Sequence, residues 1–266
     1  DEVGYPSTQS AFPMTLELNG RAVFAKGSNW IPPELFAGLT GPKTFEPLVR
    51  LAKEAHMNIF RMWGGGYINK ECFYEMCDHA GIMIWQEFPL ACNCYPDTDA
   101  YLNVLDRESV SIIKRLRTHP CLCIWSGGNE LFNYWSKMTN QSRPLRLLDK
   151  NCYDHDRKTP FIFTSPLYGA AHGGYTFMDI KGSFIGNKDK IAFTEFGCPG
   201  AAAPDYVKAI MTEDEFRDTD APPWYSHHAF NAWLFHETWL NPGNVRYFFG
   251  DTGGTEALLE RSHILQ

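Results

Sequence analysis

The chain lacks a long basic run, an apolar stretch of membrane-spanning length and a dense cysteine framework. Each absence removes a class of function. The net charge is −7 and the lysines and arginines are scattered, so no nucleic-acid partner is expected. No stretch offers the roughly 20 apolar residues of a membrane helix, so no membrane partner is expected either. Eight cysteines in 266 residues are too few for a disulfide scaffold. The close pairs, Cys92-x-Cys94 and Cys121-x-Cys123, lack the two-residue gaps and matched histidines of a zinc site, so no metal is expected. Cys121 and Cys123, two apart on a predicted strand, should share one core-facing side. A phosphate-binding turn is also missing. Gly64-Gly65-Gly66 lacks GxGxxG spacing and follows the second strand rather than the first.

Aromatic residues, by contrast, reach 15%, against an ordinary 44% hydrophobic and 21% charged content. A large core accounts for many of them, and so does a sugar site in which flat rings cover pyranose faces. A chain of 266 residues is long enough for one large domain. Residues 1–13 read as a linker or N-terminal arm, with Gly4, Pro6 and Pro13, and residues 14–266 as the domain itself. Alternating Met14 to Leu18, then Asn19-Gly20, then Ala22 to Ala25 spells a hairpin.

From there the pattern becomes strand, loop and helix in repetition. Strands are predicted near 23–28, 57–63, 82–87, 121–126, 161–165, 175–179 and 191–196. Helices are predicted after Thr44, over 70–80 with Gly81 as the stop, over 101–118 ended by His119-Pro120, around 144–155 and over 254–265. Such alternation implies parallel βα units with right-handed crossovers. Polar and aromatic residues gather where strands end: Asn29 and Trp30, Arg61 and Trp63, Gln86 and Glu87, Asn129 and Glu130, and Glu195. That layout is the carboxyl face of a TIM (β/α)8-type barrel rather than an open doubly wound sheet. No eighth strand is evident after Glu195, so the barrel is expected to be truncated, with seven strands.

Two strand ends carry the chemistry. Trp125-Ser-Gly-Gly-Asn-Glu130 and Phe193-Thr-Glu-Phe-Gly197 each set a glutamate just past an apolar run. Two carboxylates across one pocket can cleave a glycosidic bond: one protonates the leaving oxygen, and the other meets the cationic sugar carbon from about 5–5.5 Å away in a retaining enzyme. As general acid, Glu130 would need a pKa above that of a free glutamate. Arg61 would offer Glu195 a planar fork. Asn129 would bond a sugar hydroxyl beside the reacting carbon. Trp30 and Trp63 would face the sugar, and Glu87 would contact substrate or close an ion pair at the barrel mouth. Glu34 is a weaker ligand candidate. His79, His119, His155 and His172 share no spacing and read as structural.

Lys26-Gly-Ser-Asn-Trp-Ile-Pro32, Arg61-Met-Trp-Gly-Gly-Gly66, Cys77 to Phe88, Ala91-Cys92, Tyr95-Pro96, His119-Pro120, Trp125 to Glu130 and Thr194 to Gly197 run in family order. Over residues 15–200 the chain resembles the catalytic barrel of glycoside hydrolase family two, in its β-mannosidase-like branch. The resemblance implies Glu130 as general acid/base on the fourth strand and Glu195 as nucleophile on the seventh. It implies retention of anomeric configuration, no cofactor, a carbohydrate substrate and flanking β-sandwich domains. It also favours a periplasmic, secreted or lysosome-like location over a nuclear one. Three positions depart from the pattern: Gly128 stands where relatives have Asn, Cys198-Pro199-Gly200 follows the nucleophile motif, and Tyr175 and Phe177 replace a tryptophan pair. β-Mannosides are the expected substrates, with β-galactosides, β-glucuronides, β-glucosaminides and an inactive carbohydrate-binding role as alternatives.

Overall fold

The computed structural model of the protein describes residues 15–167, 170–172, 192–198, 200–219, 221–227, 242–251 and 253–266. The predicted hairpin is present: β1 (Glu17–Leu18) pairs antiparallel with β2 (Arg21–Ala22). Its turn puts Asn19 and Gly20 at φ of 52° and 75°, which these residues tolerate.

Five parallel strands follow: β3 (Gly27–Trp30), β4 (Ile59–Met62), β5 (Met83–Glu87), β6 (Leu122–Ser126) and β7 (Phe161–Ile162). Four helices alternate with them: α1 (Pro42–Glu54), α2 (Glu71–Ala80), α3 (Asp99–Leu116) and α4 (Arg143–His155). Each strand pairs with the next in sequence, in the order β3-β4-β5-β6-β7. A doubly wound sheet would reverse its order at a switch point. Unbroken order is how a (β/α)8 barrel grows, so the fold is a partial α/β barrel. A further strand, β8 (Ala170–His172), joins β9 (Ala192–Glu195) in a two-stranded sheet. The strand expected at 175–179 lies outside the described residues.

Local sequence explains the helix ends. Pro42 and Pro144 sit in the first turns of α1 and α4, where a missing N–H costs nothing. The Thr98 side chain accepts from the Tyr101 N–H at the start of α3. Gly81 ends α2 at a φ of 72°.

Strand alternation then sorts the side chains. Phe60, Met62 and Ile84 face the helices and pack with Phe45 and Val49 of α1, Phe73 and Cys77 of α2, and Ile113 and Leu116 of α3. Each such buried side chain stabilises the fold by about 1.5–3 kcal/mol. Trp85, Ile124 and Ile162 form a smaller cluster with Ile59 and Cys123. Cys121 belongs to the helix-side cluster instead, so the two cysteines do not share a face. Cys121 precedes β6, and the β5–β6 register shifts at Ile84/Trp85, which breaks the simple alternation.

A polar clamp fastens α2 to the segment before β6. His119 Nδ1 lies 2.6 Å from Asp78 Oδ2 and Nε2 lies 2.7 Å from Glu71 Oε1, while the Cys121 N–H donates to Asp78 Oδ1 at 2.8 Å. Burial of the ring disfavours its charge, but the hydrogen bonds to Asp78 and Glu71 outweigh it and raise the His119 pKa. For Asp78, burial raises the pKa, and the bonds from Cys121 and His119 outweigh it and lower the pKa. A raised histidine stabilises below its unfolded pKa of about 6.5 and loses that contribution as pH climbs through the folded value. A lowered aspartate stabilises above about 3.9 and loses it as pH falls through the folded value. The clamp is therefore at full strength between about pH 4 and 6.5. His119→Gln should cost more stability at pH 5.5 than at pH 8.5 in chemical unfolding. Equal loss at both pH values would show that the charge of His119 contributes nothing.

Residues up to His172 with Ala192–Thr194 form one compact unit, and the described residues from Glu195 to Gln266 fall in a second. The second unit contains α5 (Pro204–Ile210), α6 (Glu213–Arg217), α7 (Pro222–His227), α8 (Pro242–Phe249) and α9 (Thr255–Leu265). Val207, Phe216, Trp224, Val245, Leu258 and Leu259 make its core. Thr212 and Glu215 form a reciprocal capping box at α6. Among the described residues after Glu195 there is no strand. Most of the aromatic stretch from Trp224 to Trp239 lies outside them.

Candidate active site

Register decides which side chains meet. Asn29 of β3 is opposite Arg61 of β4, and Arg61 is opposite Trp85 of β5. Glu87 lies two residues after Trp85 and so points to the same face. Arg61 and Glu87, 5% and 1% exposed, are both buried. The Arg61 Nε donates to Glu87 Oε1 at 2.9 Å, and Nη2 lies 2.8 Å from the same oxygen. Nη1 donates to Asn29 Oδ1 at 2.8 Å and to the Thr194 carbonyl at 3.4 Å, while Nη2 also donates to Asn129 Oδ1. The remaining oxygen of Glu87 accepts the Gly64 N–H at 2.8 Å. Burial pushes the Glu87 carboxyl up, against the pull of Arg61 and the Gly64 N–H. The guanidinium thus ties three strands to the Asn129 side chain, a task that suits its fixed planar fork.

Past β6 the backbone turns sharply. Gly128 adopts a φ of 152°, and a Cβ there would lie 2.3 Å from the Leu90 carbonyl oxygen. A side chain could not stand there without moving that backbone. Asn129 bridges Leu90 and Cys92 through its backbone: its N–H donates to Leu90 O, and its carbonyl accepts from the Cys92 N–H, each at 2.9 Å. Glu130 follows in a left-handed conformation, φ 54°, and its neighbour Cys92 has φ 51°. Two non-glycine residues in this sparsely populated region, touching each other at a strand end, mark a site held against local preference.

The Glu130 carboxyl has partners on both sides. Oε1 lies 2.9 Å from His172 Nδ1, and Oε2 accepts from the Cys92 thiol at 3.5 Å. The Cys92 sulfur in turn accepts from Asn129 Nδ2 at 3.3 Å. The Glu130 main chain is pinned by its N–H to the Ser165 carbonyl at 2.7 Å and by the Ser136 hydroxyl donating to its carbonyl at 2.8 Å. Its side chain is 19% exposed, enough for a ligand to reach it. The hydrogen bond from His172 outweighs burial and lowers the Glu130 pKa, with Cys92 and Arg61 adding to the effect. The raised pKa expected of a general acid is therefore absent here, because a donor sits against the carboxylate.

Other expected site residues fall elsewhere. Trp30 is 6% exposed and packs against Phe45, Phe60 and Phe73, with ring centroids 6.2, 5.1 and 4.4 Å away. It is core, not sugar-facing, because it shares the helix side of the sheet with its register partner Met62. Glu87 is enclosed with Arg61 and acts on that side chain rather than on a ligand. Trp63 is half-buried just past β4, with its ring over Gly65. Glu34 accepts the Phe36 N–H at 3.3 Å in an exposed loop. Glu195 ends β9, half-buried. His172 and Cys92 are the residues that sequence reasoning passed over. Their signal was present in part, since Cys92 lies inside a matching motif, whereas nothing about the spacing of His172 distinguished it. Among the described residues, Glu130 and His172 fall in one potential metal-ligand grouping, and Asp78, His119 and Cys121 in another, where every side chain already has a protein partner.

No protein-family model matches the chain. It is 36% identical over 168 residues to a β-mannosidase of Capra hircus, covering 58% of this chain and 19% of that one. It is 37% identical over 131 residues to β-mannosidase B of Thermothelomyces thermophilus, covering 49% and 15%. The chain thus spans about a fifth of the length of the curated relatives it matches. Among solved structures, a β-D-mannosidase of Dictyoglomus thermophilum superposes with a TM-score of 0.77 at 28% identity, covering 95% of this chain and 33% of that one. The exo-chitosanase of Amycolatopsis orientalis shares the fold, with a TM-score of 0.75 at 14% identity over 93% and 31%. The fold is therefore that of glycoside hydrolase catalytic barrels. The matched segments are similar to those of β-mannosidases, in agreement with the resemblance that the motifs carry.

Proposed function

We propose that the protein containing this chain is a retaining, exo-acting β-glycosidase that removes terminal sugars, with β-mannosides as its preferred substrates. The observation that carries this reading is the Asn129–Glu130 pair at the end of β6, held by Arg61 on one side and His172 on the other. In this reading the Glu195 carboxylate attacks the anomeric carbon while Glu130 gives its proton to the leaving oxygen. A glycosyl ester on Glu195 forms and the aglycone leaves. Glu130, now ionised, takes a proton from water, whose oxygen displaces Glu195 and restores the starting configuration. Asn129 bonds the neighbouring sugar hydroxyl, Trp63 lines the pocket, and flanking β-sandwich domains complete the protein. No cofactor is required.

The sugar preference follows the mannosidase relatives. A panel of nitrophenyl β-glycosides, applied to the intact protein, tests it. The β-mannoside should give the highest kcat/KM. A higher value for the galactoside, glucuronide or glucosaminide would overturn the sugar, and no hydrolysis of any of them would overturn the class.

Arg61 gives a sharper test of the site. Lysine carries one point charge and cannot serve Glu87, Asn29 and Asn129 together. Arg61→Lys should lower kcat/KM by about 10²-fold through misplacement of Asn129. It should also destabilise the protein by about 3 kcal/mol, because Glu87 is left buried with a poorer partner. Wild-type kinetics in a stable variant would show that Arg61 does not organise the site.

A further inference from the structure

His172 joins the Glu130 carboxyl to an ordered series of hydrogen bonds. Its Nδ1 faces Glu130 Oε1 at 2.9 Å, and its Nε2 lies 3.1 Å from the Ser165 hydroxyl. That hydroxyl is 2.6 Å from the Thr194 hydroxyl, which in turn donates to the Ala171 carbonyl at 3.4 Å. The His172 side chain is 6% exposed, so the ring cannot turn freely toward water. Ser165 also accepts the Glu130 N–H through its carbonyl. One residue, Ser165, therefore fixes the backbone of Glu130 and the ring that holds its carboxyl.

We propose that His172 is a positioning residue for the acid/base: it fixes the Glu130 carboxyl through Nδ1, is itself anchored by Ser165 and Thr194, and sets the pH at which Glu130 gives up its proton. This rests on the reading of Glu130 as acid/base. The consequence is physical. A donor against the carboxylate favours the ionised form, which the second half of the reaction needs as a base, and opposes the protonated form that the first half needs. The activity of the protein should therefore fall away on the alkaline side while still in acid. Other charged or titratable groups act on the same carboxyl. Arg61 on β4 and Cys92 after β5 both favour its ionised form.

The test uses the intact protein and two variants. In His172→Asn the amide can keep an N–H near the Nδ1 position; in His172→Gln the amide lies one bond further out, toward Ser165. For 4-nitrophenyl glycosides, His172→Gln should lose about tenfold or more in kcat/KM, as part of the 10²–10⁴-fold effect of acid–base catalysis. It should lose little in kcat/KM with a 2,4-dinitrophenyl leaving group, whose departure needs no proton. Its alkaline limb in kcat/KM should move to higher pH, whereas His172→Asn should stay near the wild-type limb. An unmoved limb, or equal losses on both substrates in both variants, would overturn the proposal. A second readout does not depend on turnover: infrared titration of the Glu130 carboxylate, identified by its loss in Glu130→Gln. Glu130 should titrate at higher pH in His172→Gln than in wild type, and identical titration overturns the proposal even if no glycoside is hydrolysed. Absence of hydrolysis by the wild type would instead count against the glycosidase reading.

Discussion

Glu195→Gln should lower kcat by on the order of 10⁵-fold or more, close to abolition, on every glycoside regardless of its leaving group. The amide is nearly the same size as the carboxylate but has no anionic oxygen to bond the anomeric carbon. Without that bond no glycosyl ester forms, and the two-step path is closed. The loss should be uniform because attack precedes any question of who protonates the aglycone. Glu195 sits at the end of β9 within the motif Phe193 to Gly197. A steady-state assay with 4-nitrophenyl and 2,4-dinitrophenyl substrates measures the effect. A variant that keeps more than about a hundredth of wild-type kcat would place the nucleophile elsewhere.

Glu130→Ala should behave differently. For substrates with poor leaving groups kcat should fall by about 10²–10⁴-fold, the usual share of acid–base catalysis. For 2,4-dinitrophenyl glycosides the first step needs no proton and should be largely spared. The glycosyl-enzyme then accumulates, because no base activates water. Azide needs no such base and should raise turnover, leaving a β-glycosyl azide as product. Removing Glu130 also frees His172 and Cys92 from their contacts with its carboxyl, at 2.9 and 3.5 Å, and opens room where the carboxyl stood. Uniform loss on all substrates with no response to azide would contradict the acid/base assignment.

How much of this could be read from the chain varies from element to element. Strand and helix alternation was plain, because each βα unit carries its own apolar stripe and stop signal. The expected helix over 70–80 appears as Glu71–Ala80, with Gly81 stopping it. Glu130 was conspicuous because glutamate after an apolar strand, next to Asn and two glycines, has few structural reasons to be there. Trp30 was misread for a definite reason. A strand-end aromatic may face either side, and only the pairing of Asn29 with Arg61 fixes Trp30 on the helix side. Glu87 was half-read: an acid at a strand end is visible in the chain, but its burial with Arg61 depends on the β4–β5 register. His172 could not be singled out at all. Its contact with Glu130 joins positions 42 residues apart, and no local pattern encodes that. The lowered pKa of Glu130 escaped for the same reason.

The central claim is a double displacement in which Glu195 bonds the sugar. It is tested most directly by treating the intact protein with a 2-deoxy-2-fluoro-β-mannosyl fluoride, which forms the glycosyl ester quickly and releases it slowly. Peptide mass spectrometry then locates the adduct. The account predicts one fluoromannosyl group per chain, on the peptide holding Phe193 to Gly197 and assigned to Glu195, with none in Glu195→Gln. An adduct on any other residue, or turnover of the reagent with inverted product and no adduct, would contradict it.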